Sequence, residues 1–394
     1  MNKQRVTRNV VVFFLLTPLW SFLIWLSVPV KPMDVFIMDK TVLFSKGDEH
    51  RSFNWMLTHH KYSKPDKKLY RIENDYFGFF PIERSKAYFV VDLDSFSLAQ
   101  VDSIAYQKDM VYYTDMYGMY RNEWYEDTTL WKERSPTIYG GMQKNDLHLL
   151  KKMKEQQKLI LAEFNYYHHP TSGSIRKEAG DLLNIRWSGW VGRYFDPLDT
   201  LINKELPRWV IDNYMEQHGG KWPFKDAGIV FAYEDDERIE ILEEKTHLNV
   251  EIPYIHTSKY GRKKYKLPKK VHYPFWFDIS LPLNDSNLII SSFIIEPNEK
   301  GDSILKASGI PHKFPAMMES TGPSPYYYFG ADFSDNPFMN RTAYFAGSGV
   351  VDFLFYDQIL LKRTKFFYNY YRPMMKKILR TYYKELKADE KKSE

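Results

Sequence analysis

Not one of the 394 residues is a cysteine. That excludes a disulfide framework, a thiolate metal site and a cysteine nucleophile. Other signatures are missing too. There is no G-x-G-x-x-G and no P-loop, so neither phosphate-cradling turn is present. HExxH and HxH spacings are absent. SGSI (172–175) and AGSGV (346–350) contain serine beside glycine, but neither matches the G-x-S-x-G elbow. No internal repeat occurs. A strong charge of one sign is lacking as well: the net charge is +5, gathered mostly in the last third. That is too weak a field to point to nucleic acid, and no nucleic-acid partner is expected.

What is present begins with an apolar run. Val10 to Val30, VVVFFLLTPLWSFLIWLSVPV, holds twenty-one residues without a charge. About twenty apolar residues are what a helix needs to cross the hydrocarbon core of a bilayer. A cleaved signal peptide has a shorter core and a small-residue cleavage site, and no A-x-A-like triplet follows here. A buried core helix would not need apolar residues on every side. The run therefore predicts an uncleaved transmembrane signal anchor over 10–30. Lys3, Arg5 and Arg8 precede it and predict a cytoplasmic N-terminus, residues 1–9. The expected localisation is a single-pass membrane protein with its main body extracytoplasmic, and the membrane is an expected partner through this helix.

The remaining residues suffice for one large or two ordinary domains. Apolar content of 44% and charged content of 27% are globular values. Aromatics are the anomaly: 30 Tyr, 27 Phe and 10 Trp make 17% of the chain. Such rings offer flat faces for stacking on sugars or peptides, and they also fill cores.

Residues 31–245 read as an α/β domain. Strands are expected at 33–39, 87–94, 110–118 and 159–165, and helices at 48–60, 143–157, 174–184 and 199–217. GIVFAY and RIEILE flank Glu234-Asp235-Asp236 as a hairpin. Alternation of this kind predicts a mainly parallel sheet. Residues 246–355 form a β-rich region, with runs at 250–256, 272–279, 288–295 and 326–333 between turn residues. Residues 356–387 read as a basic amphipathic helix broken near Pro373, able to pack on the body or lie on an anionic surface. Residues 388–394 are expected to be disordered.

Ligands of open α/β sheets bind beyond the carboxyl ends of the strands. Here those ends carry Asp39 and Lys40, then Asp92 and Asp94, then Asp115 followed by Tyr117, then Glu163 and Asn165. Tyr139-Gly140-Gly141 adds a turn whose amides could hold an oxyanion. The loop NYYHHPTSG brings His168. Acids crowded on one rim must be protonated, paired or bound to a cation; each alone could equally cap a helix. Paired carboxylates, one protonated and one ionised, cleave glycosidic bonds. Asp115 and Glu163 are the candidate pair, with Lys40 and Tyr117 in support. Asp39, Tyr139, Gly140, Gly141, Asn165 and His168 are candidate substrate ligands. His59, His60, His168 and His169 are metal-ligand types, but their spacing is wrong, and neither metal nor cofactor is expected.

A second cluster lies later. HYPFWFDI (272–279) and SPYYYFGADFSDNP (324–337) are dense in aromatics and contain Asp278, Asp332 and Asp335. Tyr328 and Asp332 are candidate contributors to the same cleft.

MDVFIMDK, MVYYTDMYG, IYGG and LILAEFN over 33–235 together resemble, at the level of fold, the flavodoxin-like domains of the class I glutamine amidotransferase-like superfamily. The resemblance implies an α/β core. Some superfamily members are non-catalytic domains attached to glycoside hydrolases. The superfamily's catalytic cysteine is absent here, so amidotransferase chemistry does not carry over.

These readings converge on an extracytoplasmic carbohydrate-active protein hydrolysing an envelope or exported polysaccharide. The alternative is a non-catalytic component of an envelope or polysaccharide assembly, with membrane-protein partners. A sensor is the third class, and nine N-terminal residues leave it no output module.

Overall fold

A ten-stranded mixed sheet runs through a computed structural model that describes residues 16–45, 47–82, 85–126, 135–335, 340–347, 359 and 361–393. Its strands are β1 (Val35–Asp39), β2 (Phe77–Pro81), β3 (Tyr88–Val91), β4 (Met110–Tyr113) and β5 (Leu159–Glu163) from the first half. A second sheet takes β6 (Ile185–Phe195), β7 (Gly228–Tyr233) and β8 (Ile239–Glu243). The later strands are β9 (Tyr254–Thr257), β10 (Lys270–His272), β11 (Phe277–Pro282), β12 (Asn287–Ile294), β13 (Lys313–Ser320) and β14 (Tyr326–Phe329). The large sheet runs β10-β9-β12-β13-β14-β5-β4-β1-β2-β3, and the second β8-β7-β6-β11.

Only β14, β5, β4, β1 and β2 are mutually parallel; every other pairing in the two sheets is antiparallel. The expected mainly parallel sheet is thus a mixed one. Its parallel centre is extended on one side by strands from beyond residue 245. Meanwhile β6–β8, read as part of the α/β alternation, join β11 in a separate antiparallel sheet. Strand runs show in sequence; which runs pair is decided by distant partners.

Both faces of the parallel centre are buried, as parallel sheets require. Strand alternation sorts the side chains. Phe36, Met38, Val111, Tyr113, Ile160 and Ala162 face one core with helices α3 (Leu98–Gln107), α4 (Lys144–Glu155) and α5 (Gly173–Leu182). Val35, Ile37, Met110, Tyr112, Leu159 and Leu161 face the other, with α2 (Arg51–His59), the second sheet and the C-terminal helix. Helices α6 (Arg208–Gln217) and α7 (Glu299–Ala307) cover outer parts of the sheets, and α8 spans Arg372–Ser393. Met374, Met375, Ile378, Leu379 and Tyr382 of α8 are buried on the body, and the helix continues through the charged stretch expected to be disordered. A π-helical turn, Phe367–Tyr371, adjoins Pro373 where the break was expected.

The transmembrane reading is overturned. Residues 10–15 of the apolar run lie outside the described residues. The helix α1 covers Thr17–Ser27, 11 residues, and Val28 leaves it extended at ψ 130°. A residue preceding proline is pushed out of the α region, and Pro29 follows Val28. Lys31–Pro32 then pair with Tyr62–Ser63. Eleven residues rise about 16 Å, roughly half the thickness of a bilayer core. Among the described residues no helix is long and apolar enough to cross a membrane. The single-pass localisation, with its cytoplasmic N-terminus and extracytoplasmic body, is withdrawn with it.

Candidate functional site

The carboxyl ends of β1, β4 and β5 form one rim, stitched by backbone and side-chain bonds. The amide of Lys40 donates to the carbonyl of Asp115 at 2.7 Å. Thr41 Oγ1 donates to Asp115 Oδ1 (2.7 Å) and accepts from the amide of Gly118 (2.7 Å). Tyr117 N also donates to Oδ1 at 2.7 Å, and Asn165 Nδ2 donates to Oδ2 at 2.9 Å. Asp115 is 7% exposed. Burial pushes its carboxyl up to about 6, against the pull of the Asn165 and Thr41 hydrogen bonds.

Glu163 ends β5 and is buried. The Tyr112 hydroxyl donates to Oε1, and the amides of Phe333 and Ser334 donate to Oε2 at 3.1 and 3.3 Å. Burial pushes its carboxyl up to about 8, with these bonds opposing and the Asp115 charge adding to the rise. The two candidate carboxyls therefore lie on neighbouring strands, each held by its own set of donors.

Lys40 takes a different place from the one expected. Its Nζ is 2.7 Å from Asp146 Oδ2 and donates to Gly141 O at 3.0 Å, and both charged side chains are wholly buried. Asp146 also accepts from the amide of Gln143 at 2.9 Å, so Lys40 ties the β1 end to the first turn of α4. Tyr139 lies under this ammonium, 5.1 Å from Nζ to the ring centre. Within the glycine turn the amide of Gly141 is taken up by the fold: it donates to Met116 O at 2.7 Å. A Cβ on Gly118 (φ +91°) would sit 2.1 Å from Tyr139 O, and one on Gly140 (φ +152°) would sit 2.6 Å from Tyr117 O. These glycines exist to let the two loops touch backbone to backbone.

Asp39 is paired rather than open. Its Oδ2 lies 2.5 Å from His50 Nδ1, and His50 Nε2 meets Ile72 O at 2.9 Å. Glu49, next to that histidine, has an Oε2 with no hydrogen-bond partner among the described residues. Burial, then the charges of Asp39, Asp335 and Asp115, push its carboxyl well above the usual range. Asp332 is turned to Arg363, whose Nη1 lies 3.3 Å from Oδ2 and donates to Asp332 O at 3.0 Å. Arg363 Nη2 lies 2.9 Å from Asp335 Oδ2. Burial and the Asp335 charge still raise Asp332 well above the ordinary carboxylate range.

His168 and Tyr328 leave the rim altogether. His168 Nε2 is 3.0 Å from Asp278 Oδ2, and its ring stacks on Trp187 at 3.9 Å. Tyr328 OH and Ser280 Oγ donate to Asp278 Oδ2, the latter at 2.5 Å. This is a buried polar knot between the two sheets.

Asp39, Lys40, Asp115, Tyr117, Tyr139, Gly140, Gly141 and Asn165 thus converge, with Glu163 beneath them. Thr41, Glu49, His50, Asp146 and Arg363 complete the arrangement and were not anticipated. Only Asp146 left a local signal, the Gln143-x-x-Asp146 spacing of a capping box. Among the described residues no group of three or more His, Asp and Glu side chains is arranged to hold a metal ion. The site and fold define a mixed α/β protein with a carboxyl-lined rim. No protein-family model matches the chain, and no curated protein is significantly similar to it.

Proposed function

We propose that this protein is carbohydrate-active and hydrolyses a polysaccharide at the rim. The observation that carries the reading is the split between two neighbouring carboxyls. Burial raises both, Asp115 to about 6 and Glu163 to about 8, so Glu163 keeps its proton to the higher pH. Environments that push two carboxyls apart divide the roles of acid and base. Asp115 would act on the anomeric carbon, directly or through water, and Glu163 would supply the proton to the leaving oxygen. Tyr117 and Tyr120, with ring centres 4.6 Å apart, supply aromatic surface beside Asp115.

A second reading is a non-catalytic component of a polysaccharide assembly. It is favoured by the saturation of these acids: Asp115 already accepts three hydrogen bonds, and Glu163 is held by a phenol and two amides. The deciding experiment incubates the whole chain with a panel of polysaccharides beside Asp115→Asn and Glu163→Gln. Turnover lost in both variants, with thermal stability retained, supports hydrolysis. Binding without turnover, unchanged in the variants, leaves the assembly reading.

A further inference from the structure

We propose that α1 and the basic residues beside its C-terminal end dock the protein onto an anionic lipid surface, with the exposed apolar side chains of α1 entering hydrocarbon. This is independent of the rim chemistry. Helix α1 is fixed to the body along one narrow line. Trp25 is buried, with its ring edge-on to Tyr344 at 4.9 Å. Ser21 O accepts from the amide of Ala346 at 3.1 Å. Lys61 Nζ donates to Leu26 O and Val28 O at 3.0 and 2.9 Å and lies 4.3 Å from the Trp25 ring centre. The other sides are open and apolar. Leu19, Trp20, Leu23, Ile24 and Leu26 are all exposed, Ile24 by 58% and Leu26 by 55%.

A partner groove takes one stripe of a helix, whereas apolar side chains on nearly every side suit hydrocarbon. Charge selects the surface. Lys376 and Arg380 are exposed one turn apart on α8, and both lie close enough to Lys31 to act on its charge. Lys31 follows α1 by four residues and donates to His60 O at 3.1 Å. Among the described residues none of Lys31, Lys61, Lys376 and Arg380 is paired with a carboxylate. Basic residues flanking an apolar helix are attracted to anionic headgroups, and this attraction weakens with salt.

The test mixes the whole chain with vesicles of phosphatidylcholine alone, or of phosphatidylcholine with phosphatidylglycerol, and sediments them. The expected result is binding about tenfold stronger to the anionic vesicles and weakened by salt. Lys376→Glu with Arg380→Glu should remove the preference for anionic lipid. Leu23→Gln, Ile24→Gln and Leu26→Gln should remove binding to both. All are exposed, so circular dichroism should not change. Because the chain has no other thiol, Ile24→Cys carrying an environment-sensitive fluorophore reports entry into hydrocarbon without removing either feature. No sedimentation with either vesicle, or a label that stays in water, overturns the proposal. So does binding that both sets of variants leave intact. Self-association through α1 without vesicle binding would assign the face to a second copy instead.

Discussion

Lys40 and Asp146 form a wholly buried ion pair, Nζ to Oδ2 at 2.7 Å, between the end of β1 and the start of α4. Lys40 was expected to face substrate. Its charge is instead spent on architecture, held by Asp146 and the Gly141 carbonyl. Removing one member of such a pair leaves an uncompensated buried charge. Lys40→Met should destabilise the fold by about 3–5 kcal/mol, and Asp146→Leu by a similar amount. The double variant should lose less than the sum of the two. A double-mutant cycle in urea checks this; additive losses would mean that the pair is not coupled.

Asp115 and Glu163 should separate in their effects. Asp115→Asn keeps an oxygen for Tyr117 N and Thr41 Oγ1 but turns its NH2 toward Asn165 Nδ2, so one donor–donor clash is expected, with a stability loss of about 1–3 kcal/mol. Glu163→Gln replaces a carboxyl that is mostly neutral at pH 7, and its loss should be smaller at that pH. If a polysaccharide is turned over, both variants should lower kcat at least about a hundredfold, the scale of acid–base contributions. Equal activity in the three proteins would remove both residues from the reaction.

Stability should fall as pH rises across the neutral range. Both carboxyls bind protons more tightly in the folded chain than unfolded, Asp115 at about 6 and Glu163 at about 8, from ordinary values of 3.8 and 4.5. Between pH 4 and 8 these two groups therefore hold more protons in the native state than in the unfolded one, and their contribution to the slope of stability against pH is negative. The contribution is fully present below about pH 4 and gone above about pH 8. Thermal unfolding of the wild type and Glu163→Gln at pH 5, 6, 7 and 8 tests it. The variant should show a shallower decline between pH 5 and 8. Identical profiles would show that Glu163 titrates alike in both states.

The loop contact at the rim predicts intolerance at Gly118. Gly118→Ala places a methyl group 2.1 Å from Tyr139 O and asks alanine to hold φ +91°. The expected cost is about 1–3 kcal/mol, since the loops must part. Gly173→Ala is the control, because nothing lies within 4 Å of its Cβ. Equal melting temperatures for the two variants would refute the contact.

Elements whose cause is local can be read from residue order alone. Val35–Asp39, Met110–Tyr113 and Leu159–Glu163 are strands because short β-branched and aromatic runs end in turn residues. Lys144–Glu155 is a helix because apolar residues recur at helical spacing behind a capping box. Residue order also placed Asp39, Asp115 and Glu163 on one rim, since strand ends in a parallel core share a side. Tertiary structure alone decided what those acids do. His50 reaches Asp39, Thr41 reaches Asp115 and Arg363 reaches Asp332 from other parts of the chain, with no spacing pattern to announce them. It also decided that β14 pairs with β5 across some 160 residues, because burial of both faces is settled by the whole sheet. The apolar run shows the limit most plainly. Its composition is local, but the end of α1 at Val28 and the pairing of Lys31–Pro32 with Tyr62–Ser63 are set by Pro29 and a distant strand.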